Sequence, residues 1–404
     1  MRHQNSVFHQ LTKHIPWAAF DDAVSRHGSD RRVRRLRTRD QFLALLYGQL
    51  SGAASLREIE DGLSSQAARL YHAGLRGVSR STLSDANAKR PFEVYAEVFA
   101  EMARLARPGL RRKLRGAVRL LDATKLNLSG LSAAWARFSA DHCAAKLHVV
   151  YDPHGGAPLR AVVTPDRVND ITPARAMPIE PGATYVFDLA YYSYEWWAQL
   201  HDHGCRFVTR LKKNSPATLI ETRATDPDGP VLADRVAFLS KRLASSRSNP
   251  FDKPVRLIDV RIDSGRVITL LSNDLDAPAA EIAALYKQRW KIELFFKWIK
   301  QNLEIRHFLG VSENAVKIQV YVALIAFLIL RAAHSAQNAI SGPQAFARLV
   351  RLNIMHRRCI LNIKDPPKIP AKRRKANRAP THLSLNRTAV DRVRASLSAG
   401  PTER

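Results

Sequence analysis

Residues 286–300 have the sequence Tyr-Lys-Gln-Arg-Trp-Lys-Ile-Glu-Leu-Phe-Phe-Lys-Trp-Ile-Lys. At about 100° per residue, an α-helix over this stretch has one continuous apolar face, which predicts a helix packed against a core. That face consists of Leu285, Ile292, Phe295, Phe296, Ile299 and Leu303. Beside it, within roughly 60° of arc, the helix aligns Tyr286, Arg289, Glu293 and Lys300. One carboxylate among a phenol and cations is suited to holding a phosphodiester beside a metal ion.

Two further carboxylates follow short, mostly apolar runs. Asp122 comes directly after residues 118–121, and Asp188 comes directly after Tyr185-Val-Phe. For one aspartate alone, a turn or a helix cap is the simpler interpretation. Two aspartates at the ends of strands, at the edge of an open sheet, are able to hold a hard divalent cation between them. Together with Glu293 they form a set of three carboxylates suited to two Mg²⁺ ions.

The composition points to a polyanionic partner. The 404 residues include 64 Lys and Arg against 36 Asp and Glu, a formal net charge of +28, and the sequence pI is about 10.6. We expect DNA as this partner and no membrane contact, since no Lys-rich amphipathic anchor is present. The apolar run at 320–330 is too short to span a bilayer and favours a buried helix. Three widely spaced cysteines and a polar N-terminus favour the cytoplasm.

Residues 1–113 have helical patterns throughout and predict a helical DNA-binding domain. Residues 31–39 contain six arginines, among them Arg34 and Arg35. This segment is either a solvated linker or an arm that contacts the DNA backbone. Short helices, a Gly-containing turn and a polar last helix from about Arg80 indicate a helix-turn-helix reader. A small helical bundle with one polar helix has the same pattern and remains the alternative.

Residues 114–340 have a mixed α/β pattern. Short β-type runs predict strands at 118–121, 147–151, 159–163, 185–187 and 207–211, with a helix at 194–201. This order of elements is the start expected of a ribonuclease-H-like core. A segment rich in Pro, Asp and Ser at about 214–266 indicates a β-rich insertion before the helix that carries Glu293. Residues 341–404 form a predicted basic C-terminal tail that includes Lys372-Arg-Arg-Lys375.

The spacing Tyr286-x₂-Arg289-x₃-Glu293-x₆-Lys300 resembles the signature of D-D-E transposases of bacterial insertion sequences. The resemblance covers roughly residues 115–335 and implies that Asp122, Asp188 and Glu293 are both the catalytic and the metal-binding triad. One departure is the Leu189-Ala190 pair, because family members often have Gly after the second aspartate. The resemblance implies a fold consisting of a ribonuclease-H-like catalytic core with a β-rich insertion, preceded by the helical domain.

The function that follows is a transposase that binds the terminal inverted repeats of its insertion sequence and catalyses strand cleavage and strand transfer. Two Mg²⁺ ions, or Mn²⁺ in their place, would support hydrolysis and transesterification. We expect Tyr286, Arg289 and Lys300 to contact phosphate, and Trp290 either to stack on a base or to pack in the core. Cutting two element ends together implies a homodimer on double-stranded DNA. The alternatives are a non-catalytic repressor with a degenerate nuclease-like domain and a nucleic-acid-packaging protein.

Overall fold

The structure is a computed structural model that describes residues 5–106, 116–139, 142–213, 215–241, 248–303 and 308–365. The described residues up to Lys364 belong to one compact unit. The boundary predicted at 113/114 and the basic cluster Lys372–Lys375 lie outside the described residues.

The described part of the N-terminal region is helical, as predicted. In chain order its helices are α1 (Val7–Thr12), α2 (Trp17–Arg26), α3 (Thr38–Ser51), α4 (Leu56–Ser64), α5 (Ala67–Ala73), α6 (Arg80–Lys89) and α7 (Glu93–Leu105). Local capping explains where two of them begin. The Ser55 hydroxyl accepts from the Glu58 N–H at the start of α4, and the Ser79 hydroxyl accepts from the Thr82 N–H at the start of α6.

The remaining described helices are α8 (Ala133–Ala136), α9 (Ile171–Ala176), α10 (Tyr194–Asp202), α11 (Ala279–Lys287), α12 (Trp290–Asn302), α13 (Glu313–Ser335) and α14 (Pro343–Asn353). The helix predicted at 194–201 is confirmed as α10. Helix α14 falls within the segment predicted to be a basic tail, and its Phe346 and Val350 are buried.

Helix α13 joins the N-terminal helices to the rest of the unit. It packs against α7, α3 and α6. The Asn314 amide donates to the carbonyls of Asn87 (2.8 Å) and Arg90 (2.6 Å), and its oxygen accepts from the Phe92 N–H. Among the described residues α13 is the one helix long and apolar enough to cross a membrane, and 78% of its most apolar window is buried inside the protein. The buried helix predicted at 320–330 is therefore confirmed, as the centre of a longer helix.

The described strands form one nine-stranded sheet in the order β3-β2-β1-β4-β5-β9-β8-β7-β6. The strands are β1 (Val118–Leu128), β2 (Cys143–Asp152), β3 (Ala157–Pro165), β4 (Thr184–Val186), β5 (Arg206–Arg210), β6 (Ala217–Arg223), β7 (Val231–Leu239), β8 (Val255–Arg261) and β9 (Val267–Ser272). All five strands predicted from the apolar runs are present, and the first three are longer than predicted. Strands β1, β4 and β5 are parallel neighbours, whereas every other pairing is antiparallel.

The segment predicted as a β-rich insertion supplies β6, β7 and β8. These strands follow β5 in the chain and extend the sheet beyond β9. The architecture is therefore mixed α/β, with a large sheet and an N-terminal helical region. Because β1, β4 and β5 run in parallel at the middle of the sheet, their carboxyl ends meet at one edge, where functional side chains of open sheets are commonly found.

Candidate active site

The predicted aspartates lie in one row across neighbouring parallel strands, two residues beyond the last residues of β1 and β4 that pair with each other. In the register of β1, β4 and β5, the adjacent residues are Leu120, Val186 and Val208. Two residues further along each chain segment come Asp122, Asp188 and Arg210. Because side chains alternate across a sheet with a period of two residues, this register predicts that all three side chains project from the same face.

Asp122 lies in the middle of a strand and not at its end, which corrects the sequence-based assignment. Strand β1 continues to Leu128, and Asp122 pairs with Val149 of β2. On its other side, the pairing of β1 with β4 stops at Leu120. Asp122 therefore stands at the edge of the sheet where its parallel neighbour has ended, with its side chain 18% exposed.

Asp188 follows β4 by two residues and begins a 3₁₀ helix at Leu189–Tyr191. Its carboxylate accepts a 2.8 Å hydrogen bond from the Ala190 N–H. Among the described residues, Arg32 is the one non-glycine with a positive φ. The Leu189-Ala190 pair therefore adopts no conformation that needs glycine, and the departure from the family pattern carries no backbone strain.

The helix predicted from Tyr286 to Lys300 is in fact two helices. Helix α11 ends at Lys287 and carries Tyr286, and α12 begins at Trp290 with Arg289 as its N-cap. The two linking residues, Gln288 and Arg289, keep right-handed helical dihedral angles. For that reason the interruption changes the helical phase little, and the predicted stripe of side chains persists across it.

Arg289 lies between the carboxylates of Asp122 and Glu293. Its Nη2 is 2.6 Å from Glu293 Oε1, and its Nη1 is 3.6 Å from Asp122 Oδ2. The guanidinium carbon is 5.8 Å from the centre of the Tyr286 ring. The structure thus brings together four predicted site residues from β1, α11 and α12. Arg289 Nε is buried and lacks a hydrogen-bond partner among the described residues.

The electrostatics of the site follow from this crowding. Burial, with the negative charges of Asp188 and Glu293, raises the pKa of Asp122 to about 6, against the opposing effects of the Ala123 N–H and Arg289. Burial alone would lower the pKa of Arg289, but Tyr286, Glu293 and Asp122 together raise it. Three carboxylates with one guanidinium therefore leave excess negative charge at this edge of the sheet.

The residue that the sequence analysis missed is Arg210. It ends β5, one strand from Asp188, and its Nε is buried and without a partner in the described part of the chain. Its positive charge acts on Tyr286: burial raises the pKa of that phenol, and Arg210 and Arg289 oppose the rise. Like Asp122 and Asp188, it lies two residues beyond a paired position of a parallel strand, a relation that only the strand register shows.

The other predicted DNA-contacting residues lie apart from this cluster. Trp290 is 58% exposed, which excludes the core interpretation of its side chain. Lys300 lies half-buried on α12, about two turns beyond Glu293. Arg34 and Arg35 are exposed between α2 and α3, and Arg80 is exposed in the first turn of α6.

A divalent metal is compatible with the chemistry of these residues. Among the described residues, no three His, Cys, Asp or Glu side chains are close enough together to hold an ion in the present arrangement. Asp122, Asp188 and Glu293 nevertheless supply the hard oxygen donors that Mg²⁺ prefers. Burial, and after it the charges of Asp188 and Glu293, raises the pKa of Asp122, and a bound cation would oppose this rise. The three carboxylates therefore fit a divalent metal ion. In the present arrangement Arg289 is the cation between two of them.

Comparison with known proteins shows the family to which the chain belongs. The model of a transposase DDE domain matches residues 114–329, over half of the chain, and a domain of unknown function (DUF4372) matches residues 3–76. The protein y4zB of Sinorhizobium fredii (strain NBRC 101917 / NGR234), named as a transposase, is 40% identical over 307 residues, covering 75% of this chain and 85% of that protein.

A Geobacillus stearothermophilus protein, named as the transposase for insertion sequence element IS5377, is 29% identical over 262 residues, covering 64% of this chain and 68% of that protein. A cryo-EM structure of the piggyBac transposase synaptic complex with hairpin DNA aligns with 98% of this chain and 84% of that chain. Its TM-score is 0.40 and its identity 12%, too low to support an argument. The chain belongs to the family of transposases with a DDE domain, a domain that generally uses divalent metals.

The bridging position of Arg289 generates a first prediction. Arg289→Lys keeps the charge but loses the planar fork that reaches two carboxylates at once, so transposition of a marked element should fall by about tenfold or more. The measurement is transposition frequency in cells, normalised to the amount of protein. Arg261→Lys, the same exchange at an exposed position of β8, is the control and should be neutral. Equal frequencies for Arg289→Lys and the parent would show that only the charge matters at 289.

Proposed function

We propose that this transposase cuts and joins DNA at the ends of its insertion sequence, with Asp122, Asp188 and Glu293 as the catalytic triad. The observation that carries the proposal is the row of aspartates on β1 and β4, faced by Glu293 of α12 through the Arg289 bridge. Three carboxylates gathered from separate elements around one half-buried guanidinium have an electrostatic cost, and arrangements of this kind are concentrated at functional sites. The Tyr286, Arg289, Glu293 and Lys300 spacing is the family signature that we assign to this site.

The strand order supports a ribonuclease-H-like core. Strands β3, β2 and β1 form an antiparallel meander, and β1, β4 and β5 continue it in parallel. Strands β6 to β8 correspond to the β-rich insertion, between the core and the helices that carry Tyr286 and Glu293. We assign the catalytic domain to residues 114–340, the helical DNA-binding domain to 1–113 and a basic C-terminal segment to 341–404, which begins with the packed helix α14.

Asp122, Asp188 and Glu293 would hold two Mg²⁺ ions, or Mn²⁺ instead. When bound, the metal ions supply activation of the attacking oxygen and stabilisation of the leaving 3′-oxygen. The residues of the chain then orient the DNA. The fork of Arg289 matches two phosphate oxygens, Tyr286 donates one hydrogen bond, and Lys300 contributes a point charge. Arg210 adds a further cation beside Asp188.

The same arrangement serves two successive reactions. In the first, water attacks the phosphodiester at the element end, and the 3′-oxygen leaves as a free 3′-hydroxyl. In the second, that 3′-hydroxyl attacks a phosphodiester of the opposite strand or of target DNA, and another 3′-oxygen leaves. Both reactions need only positioning and charge stabilisation, which the cations around Asp122 are suited to provide. Two ends cut together require two copies of the chain, so we infer a homodimer on DNA.

The N-terminal helices would recognise the terminal repeats. Helices α4, α5 and α6 pack together, and α6 buries Leu83, Ala86 and Asn87 while Arg80, Ser81, Thr82, Ser84 and Lys89 are exposed. A short helix with one buried apolar edge and an exposed polar face suits entry into a major groove. The exposed Arg34 and Arg35 would contact backbone phosphates nearby, without reading sequence.

The catalytic assignment predicts that Asp122→Asn, Asp188→Asn and Glu293→Gln each abolish metal-dependent strand cleavage. Each exchange removes a negative oxygen donor and keeps the side-chain volume. Cleavage is measured on a duplex that carries the element end, with binding to the same duplex measured in parallel. Binding should stay within about threefold of the parent, because carboxylates do not attract phosphate. Asp228→Asn, at an exposed turn, is the matched control.

If any of the three variants cleaves normally, that residue is not part of the site. If all bind and the parent itself does not cleave, the repressor alternative is favoured.

The DNA-reading assignment predicts different outcomes for two kinds of arginine. Arg80→Gln should reduce the preference of the full chain for its own terminal repeat over random DNA by about tenfold, because a base contact is lost. Arg35→Gln should weaken binding to both DNAs alike and lower the salt dependence of log K by about one. Competition binding at several salt concentrations measures both effects. An equal loss of affinity for both DNAs in Arg80→Gln would show that α6 contacts only the DNA backbone.

A further inference from the structure

A groove of about 490 Å³ lies on the side of α12 away from the carboxylates. It is bounded by α12, by α13 and by the turn between β2 and β3. Its principal lining residues are Tyr151, Lys291, Phe295, Trp298, Phe327 and Arg331. A cavity of this volume is in the range of pockets that hold a small molecule or a nucleotide.

One wall of the groove is a connected series of aromatic rings. Tyr151 and Phe295 have ring centres 5.2 Å apart, and Phe295 and Phe327 have ring centres 5.0 Å apart. Phe327 in turn contacts Trp298 at 5.1 Å, with their planes 76° apart. Tyr151 and Phe295 are buried and support the partly exposed rings of Phe327 and Trp298, which offer faces and edges against which another planar group can stack.

The polar groups of the groove are donors and cations. None of its lining residues is acidic, and Lys291 and Arg331 take part in no ion pair among the described residues. Trp298 Nε1 is buried and finds no acceptor in the described part of the chain. Nε1 of Trp196 and of Trp197, elsewhere in the protein, are in the same state, so the choice of ligand depends on the cations and on the aromatic wall. The nearby His334 is already satisfied, since its Nε2 lies 2.9 Å from the Ile340 carbonyl.

These features favour one occupant over the others. An apolar helix of a second copy of the chain would fill the groove but bring no counter-charge to Arg331 or to Lys291, whose Nζ has only the neutral Gln288 Oε1 at 3.4 Å. An unpaired nucleotide suits both the aromatic wall and the two cations. Its base stacks on aromatic rings and has hydrogen-bond acceptors on its edges, and its phosphate pairs with the two cations.

The position of the groove relative to Glu293 strengthens this choice. Lys291 and Glu293 are two residues apart on α12 and therefore about 160° apart around its axis. Between them, on the solvent side, lies an exposed ridge that includes Trp290 (58% exposed) and Leu294 (47% exposed). A DNA strand that passes the carboxylates can cross this ridge, roughly one helix diameter or 10–12 Å wide, and reach the groove.

We propose that this groove binds an unpaired stretch of DNA strand next to the site of cutting. The proposal rests on the function proposed above only in taking DNA as the polymer, because strand binding needs neither metal nor cleavage. It assigns single-strand DNA to the groove residues Trp298, Phe327, Lys291 and Arg331, separately from the phosphate contacts of Arg289.

The test compares single-stranded and double-stranded DNA in the presence of a metal chelator. The full chain is titrated with an oligodeoxythymidine of about 20 nucleotides and with a random duplex of equal length, and binding is followed by fluorescence anisotropy. The double variant Lys291→Gln/Arg331→Gln should bind the single strand about tenfold more weakly and the duplex less than about threefold more weakly. Arg261→Gln, at an exposed position of β8 outside the groove and away from α12, should change either affinity by less than about threefold.

Two further measurements keep the result interpretable. Trp298→Phe replaces the indole by a smaller phenyl ring, so it should weaken single-strand binding through loss of stacking area, and the unfolding midpoint measured in parallel separates this effect from a loss of stability. A strand containing 5-iodouracil should crosslink to Trp298 or Phe327 on irradiation.

Equal losses of affinity for both DNAs in the groove variants, or crosslinks only elsewhere, would overturn the proposal. A shift in sedimentation of the groove variants without a change in DNA affinity would instead assign the groove to a second copy. Asp188→Asn should abolish cleavage and leave single-strand binding intact, which separates the two proposals.

Discussion

The repulsion among carboxylates at one edge of the sheet is the constraint on which this protein depends. Parallel pairing of β1 and β4 puts Asp122 and Asp188 in one row, and α12 adds Glu293. Without a cation between them, three partly buried negative charges would disfavour this packing. Arg289 supplies that cation from the N-terminus of α12, on the same helix as one of the carboxylates. The ion pair therefore stabilises the helix against the sheet and keeps a functional site assembled.

A second constraint connects this site to the helices at the start of the chain. Helix α13 packs on α3, α6 and α7, and Asn314 at its first turn bonds to three backbone groups between α6 and α7. The buried Gln41 amide donates to Asn87 Oδ1 at 2.7 Å, which fixes the last turn of α6 from the other side. The exposed face of α6 is thus held on the same helix that packs against the core. If α6 recognises DNA and the carboxylates cut it, the two sites would lie at a fixed distance from each other.

The sequence predicted those parts of the fold that depend on local pattern. The strands and the α12 core face followed from apolar periodicity, and the site cluster followed from spacing on one helix. The extension of β1 past Asp122 was missed because a carboxylate interrupts the apolar run, although Leu126 is buried again. The break at Gln288 leaves the helical phase nearly unchanged, so the periodicity of the sequence does not reveal it. Arg210 escaped notice because its neighbours are set by the pairing of β5 with β4, a long-range contact that no local pattern encodes.

The central claim is that Asp122, Asp188 and Glu293 form one metal site, with Arg289 as the cation that separates two of them when metal is absent. X-ray diffraction near the manganese absorption edge, from crystals of the full chain with Mn²⁺ and a duplex end of its element, tests this most directly. The account predicts anomalous density between the carboxylate oxygens of all three residues, with Arg289 moved from Asp122 towards a DNA phosphate. Anomalous density bound by other side chains, with Arg289 still between Asp122 and Glu293, would contradict it.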